Sequence, residues 1–131
     1  MEGVTELLDF LKERGKKLAV ASSTKLEQVR KNLARNGLDR YFDVVIGGDM
    51  IEASKPAPDI YLEACRRLSV SPENAAGVED SFNGIRSVAA AGMLAVMVPD
   101  MVQPDGEIKK IYDHCFASLT ELKSFWEAEG I

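Results

Sequence analysis

The chain has 131 residues, 46% of them hydrophobic and 28% charged, which is the size of one domain with enough apolar material for a core and excludes a disordered tail. A net charge of −5 is ill-suited to a phosphate backbone, so nucleic acid is not an expected partner. Neither a membrane nor a secretory route is expected, since no apolar run approaches the ~20 residues that span a bilayer and residues 1–5 show no signal-peptide pattern. Two distant cysteines, Cys65 and Cys115, and one histidine, His114, exclude a disulfide scaffold and a zinc finger and suit a reducing cytoplasm.

Val4, Leu7, Leu8 and Leu11 fall on one helical stripe, and Gly15 stops it. Leu18-Ala19-Val20-Ala21 is an apolar run short enough for a strand buried on both faces. Thr24-Lys25-Leu26-Glu27 has the form of a capping box, and Leu26, Val29 and Leu33 line the helix it opens, which Gly37 ends. Phe42-Asp43-Val44-Val45-Ile46 predicts a second strand, closed by Gly47-Gly48. Tyr61, Leu62, Cys65 and Leu68 mark a third helix, entered through Pro56 and Pro58 and followed by a Ser71-Pro72 turn and the strand Ala75-Ala76-Gly77-Val78. Ile85, Val88 and Ala89 carry a fourth helix, which Gly92 ends before the strand Leu94-Ala95-Val96-Met97-Val98. Pro99 opens a loop through Gly106. Cys115-Phe116-Ala117 reads as a short strand, and Ser118-Leu119-Thr120-Glu121 caps a last helix with Leu122, Phe125 and Trp126 inward. This alternation predicts a single α/β domain over residues 1–131, Rossmann-like, with a mostly parallel sheet and helices on both faces. In such sheets ligands gather at the carboxyl ends of the strands.

Each of the first three strands ends in residues with a chemical use. Ser22-Ser23-Thr24 offers hydroxyls and amides at a helix N-terminus, an anion site unless it is plain capping. Ser54-Lys55-Pro56-Ala57-Pro58-Asp59 holds a lysine in a proline-framed loop, where it could meet a phosphate oxygen or simply face solvent. Glu79-Asp80-Ser81 places two repelling carboxylates at a strand end. A divalent cation would relieve that repulsion, although Asp80 or Ser81 could also merely cap the next helix. Asp49 and Asp59 read as loop and cap carboxylates, Cys65 as core and His114 as a satisfied edge residue, and no nucleophilic triad is present. Together, hydroxyl, lysine and acidic pair suit phosphoryl transfer, which asks for positioning and charge neutralisation.

In that order these segments resemble motifs II, III and IV of the haloacid dehalogenase-like (HAD) superfamily, in its β-phosphoglucomutase-like branch. The likeness runs over about residues 3–98. It implies that Ser22 binds the transferring phosphoryl group with help from the Ser23 amide, and that Lys55 neutralises that group. It also implies that Glu79 and Asp80 anchor Mg²⁺ directly or through water. The substrate implied is a small phosphorylated metabolite such as a sugar phosphate, handled by a phosphatase or phosphomutase.

The family's first motif, Asp-x-Asp-x-Thr/Val on the first strand, carries the nucleophile and the general acid/base, and it is absent from residues 1–131. Asp9 lies on the polar side of an amphipathic helix and cannot substitute for it. The branch's helical cap is absent too, so the chain corresponds to the C-terminal part of the family architecture and is expected to be inactive alone. The missing strand would lie between the strands of motifs II and IV. That slot must be filled by the missing segment, filled by a second copy of the chain, or closed by direct pairing; an oligomeric or poorly stable chain is therefore expected. Two other readings are a short non-catalytic relative that binds a phosphate or a protein, and a receiver-like domain. The receiver order, with acids first and lysine last, is the reverse of this one.

Overall fold

A computed structural model describes residues 2–99 and 103–131, so part of the loop expected after Pro99 lies outside the described residues. In chain order come α1 (Val4–Glu13), β1 (Ala19–Ala21), α2 (Leu26–Arg35), β2 (Val44–Ile46), α3 (Asp59–Leu68), β3 (Ala76–Glu79), α4 (Phe82–Ala90), β4 (Leu94–Met97), β5 (His114–Cys115) and α5 (Leu119–Ala128). The strands are parallel and apolar and alternate with amphipathic helices, as the sequence pattern predicts. β5 comes one residue earlier than expected, with the His114 ring 4.9 Å from that of Phe125 and 6.1 Å from that of Phe116.

The strands form two parallel sheets. β1 pairs with β2, Ala19 opposite Val44 and Ala21 opposite Ile46. β3, β4 and β5 form the other sheet, with Ala76 opposite Leu94 and Val96 opposite His114. β1 and β3 do not pair, so direct closure is not how the chain resolves the gap.

Helices hold the two sheets together. On one side α3 packs against β1, β2 and α4, while α4 packs against β3 and β4. Ile46, Ile60, Ile85, Val88, Met97 and Ile108, at most 1% exposed, form the core there. On the other side α1 packs against α5. Its Leu7 and Phe10 join Val96, Leu122 and Trp126, and its Leu8 joins Leu18 and Tyr41 beside β1. One helix face thus serves two apolar clusters, because Leu7 and Leu8 are adjacent on the stripe and diverge to either side.

One local expectation changes. Thr24 does not cap α2: no side chain of its N-terminal residue does so, and the Leu26 amide instead donates to Asp49 Oδ1 at 2.9 Å, from the turn after β2. The Thr24 carbonyl accepts from the Gly48 amide at 2.8 Å. The sequence shows a local cap and cannot show a carboxylate arriving from 23 residues away. Leu62 on α3 is 42% exposed. By contrast Ser81 and Ser118 cap α4 and α5 as read, accepting from the Gly84 and Glu121 amides.

Asp49→Ala removes the cap that joins α2 to β2. It is expected to cost about 1 kcal/mol, and Thr24→Ala much less. Thermal melting should show the Asp49 variant lowered by roughly 2–6 °C.

Candidate active site

β1 ends at Ala21, and its ladder to β2 continues one bond further, the Ser22 amide donating to the Ile46 carbonyl at 3.0 Å. The Ser22 hydroxyl accepts from the Thr24 amide at 3.2 Å, which turns the chain toward α2. Gly48 permits this close packing: a Cβ there would stand 2.2 Å from the Ser23 carbonyl oxygen. With the Thr24 and Leu26 amides already taken, the Ser23 amide is left without a partner among the described residues.

The loop carrying Lys55 is clamped from below. Ser87, fully buried on α4, donates its hydroxyl proton to the Ala57 carbonyl at 2.6 Å, and Asp59 accepts from the Ala53 amide at 3.2 Å. The Lys55–Pro56 peptide bond is cis. Lys55 reaches across to the end of β3, with Nζ 2.5 Å from Glu79 Oε2 and 3.4 Å from the Ala21 carbonyl. The ion pair is nearly dry, the two side chains being 14% and 9% exposed. The Tyr61 hydroxyl donates to the same Glu79 oxygen. Burial pushes the Tyr61 phenol far up, and the Glu79 charge adds to this, so Tyr61 stays protonated and remains a donor. Gly84 makes room for the carboxylate, since a Cβ there would lie 2.0 Å from Glu79 Oε1.

Ser22, Ser23, Lys55, Glu79 and Asp80, the five residues singled out in the sequence, all line one groove of about 1040 Å³. Asp80 is exposed at its mouth, whereas Glu79 gives its Oε2 to Lys55 and Tyr61. Mg²⁺ takes oxygen ligands, keeps several waters and needs only one or two protein carboxylates, so Asp80 with Glu79 is a suitable donor set. No group of three or more candidate metal ligands exists among the described residues. Asp9 accepts from the Tyr41 hydroxyl at 2.7 Å and takes no part in the groove. Sequence reading missed two contributors. Tyr61 looks like an ordinary core position on its helix, and its hydroxyl is the only hint of more. Ser87 is a polar residue next to Val88 on a buried face, a signal that was present and unused.

A polar cluster at the carboxyl ends of parallel strands marks an α/β protein whose ligand site lies where this class of fold places it. The chain belongs to the family described as haloacid dehalogenase-like hydrolase, which it matches over residues 1–98, with a β-phosphoglucomutase-like relationship. It is 42% identical over 91 residues to the phosphorylated carbohydrates phosphatase of Thermotoga maritima, covering 70% of this chain and 42% of that protein. It is similar to the crystal structure of CbbY from Rhodobacter sphaeroides in complex with phosphate: TM-score 0.81, 35% identity, 92% of this chain and 55% of that one. It is also similar to β-phosphoglucomutase from Clostridium difficile: TM-score 0.84, 28% identity, 97% of this chain and 54% of that one. The chain spans about half the length of these relatives. No helix among the described residues is long and apolar enough to cross a membrane.

Gly84→Ala is expected to cost about 1–3 kcal/mol through overpacking against Glu79. In a Glu79→Ala background the same change should be neutral or stabilising, because alanine favours the helix by about 1 kcal/mol. Urea unfolding of the four variants measures the coupling; equal cost in both backgrounds would place the clash elsewhere.

Proposed function

We propose that this groove handles the phosphoryl group of a small phosphorylated carbohydrate in an Mg²⁺-dependent transfer. The observation that carries the reading is the meeting of Ser22, Ser23, Lys55 and Asp80 in one groove at the carboxyl ends of β1 and β3. Phosphatase and phosphomutase relatives of the same family support it.

The Ser22 hydroxyl and the Ser23 amide donate to phosphoryl oxygens. The Ser22 hydroxyl proton is free to do so, since that oxygen acts as an acceptor toward Thr24. Lys55 brings a fixed positive charge, its position set by Glu79 and the Ala21 carbonyl. Glu79 in turn is held by Tyr61, so the ammonium is aimed before substrate arrives. Asp80, with Glu79, would hold Mg²⁺, which when bound supplies charge neutralisation to the phosphoryl oxygens. The attacking carboxylate has no candidate within residues 1–131, so these residues bind and orient rather than form the covalent bond. Transfer to water and transfer within the substrate would use them in the same way.

Isothermal titration of the 131-residue chain with glucose 6-phosphate and Mg²⁺ tests this reading. Lys55→Ala is expected to weaken binding about tenfold or more, since it removes a charge-assisted contact. Asp80→Asn is expected to abolish the dependence on Mg²⁺. Unchanged affinity in both variants would contradict the proposed site.

A further inference from the structure

Of the charged side chains that line the groove, Glu79 is the least exposed, at 9%. Both of its oxygens have close neighbours. Oε2 accepts from the Lys55 ammonium and from the Tyr61 hydroxyl. Oε1 rests over Gly84 in the first turn of α4, the helix that Ser81 caps. The positive end of that helix favours a carboxylate there. Asp80, one residue further on, is exposed and lines the same groove.

Tyr61 is placed to hold this arrangement. Its side chain is 7% exposed and packs in the core with Ile60, Ala64 and Ile85. Lys55 Nζ lies 5.3 Å from the centre of its ring, so phenol and ammonium reach Oε2 side by side. If Glu79 swung out to bind a cation directly, the buried phenol would lose its acceptor, and a buried donor left unpaired is costly. Lys55 alone imposes no such restraint. An ammonium on a flexible stem can follow the carboxylate or turn to the Ala21 carbonyl, which it already approaches at 3.4 Å. The restraint on Glu79 is therefore the tyrosine's.

We propose that Tyr61 is a positioning residue that keeps Glu79 on Lys55, so that Glu79 meets a bound cation only across a water, and that this makes the site select Mg²⁺ over Ca²⁺. The inference rests on the phosphoryl-transfer reading above and names the residue that sets its metal preference. Mg²⁺ dehydrates reluctantly and keeps several waters, so one direct carboxylate, Asp80, and a second reached through water suit it. Ca²⁺ takes about six to eight oxygen ligands and favours bidentate carboxylates, so a Glu79 held away leaves it short. Tyr61→Phe keeps the ring and its packing and removes only the donor. Glu79 is then free to turn and ligate directly, a change that favours Ca²⁺.

Two measurements on the 131-residue chain test this. The first titrates glucose 6-phosphate calorimetrically in MgCl₂ or in CaCl₂. In the wild type Mg²⁺ should raise the affinity at least about tenfold more than Ca²⁺ does at equal concentration. Tyr61→Phe should raise the Ca²⁺ effect until that ratio is about threefold or less, with the circular dichroism spectrum unchanged. Glu79→Gln in the Tyr61→Phe background should remove the gain with Ca²⁺. A Tyr61→Phe variant with the wild-type ratio, or a wild type without preference, would overturn the proposal.

The second measurement needs no variant. It follows the side-chain carboxyl ¹³C resonances of the wild type as Mg²⁺ alone is added. Asp80 should shift and Glu79 should stay nearly still, whereas equal movement of the two, or movement of neither, would overturn the proposal. Glucose 6-phosphate that fails to bind with either cation counts against the phosphoryl reading, while the carboxyl shifts still decide how Glu79 meets the metal.

Discussion

The constraint on which this structure depends is an open seam in its sheet. Among the described residues β1 and β3 do not pair, and packed helices together with the Lys55–Glu79, Tyr61–Glu79 and Ser87–Ala57 hydrogen bonds hold the two halves together. α3 spans the seam on one face through Ile60, Tyr61 and Ala64. α1 spans it on the other by sending Leu7 and Leu8 to different clusters. A parallel sheet ordinarily buries both of its faces. Two of the exposed large apolar side chains among the described residues, Val78 and Leu94, line the groove between the sheets.

The seam also explains where the polar chemistry sits. Among the described residues no strand lies between these two to satisfy Ala21 or to screen Glu79. Lys55 does both, donating to the Ala21 carbonyl and pairing with the Glu79 carboxylate. A nearly dry ion pair is favourable only when further hydrogen bonds complete it, and Tyr61 supplies one. Gly84 and Ser87 act at one remove, the first by leaving space for the carboxylate and the second by fixing the Lys55 loop. Asp80, next in sequence to Glu79, stays at the solvent face, so two adjacent carboxylates occupy different electrostatic environments.

Much of this was legible in the residues. Every strand and helix follows from short apolar runs, helical stripes and Gly or Pro punctuation, and the motif residues Ser22, Ser23, Lys55, Glu79 and Asp80 were found from their places at strand ends. What escaped depends on distance in the chain. Asp49 caps α2 from beyond β2, Tyr61 bonds Glu79 across 18 positions and Ser87 bonds Ala57 across 30. Local pattern carries no trace of such partners. Thr24 shows the reverse error, a convincing capping box that the fold does not use: α2 begins at Leu26 with Lys25 at the N-cap, and Asp49 from the turn after β2 takes the Leu26 amide.

The seam is most directly tested by amide hydrogen exchange on the 131-residue chain, read residue by residue by NMR. The account predicts alternating protection along both facing strands: slow exchange at Val20 and Gly77, which bond to β2 and β4, and fast exchange at Ala19, Ala21, Ala76 and Val78, which face the seam. Uniform protection along β1 and β3 would mean that the strands are paired after all, and would contradict it.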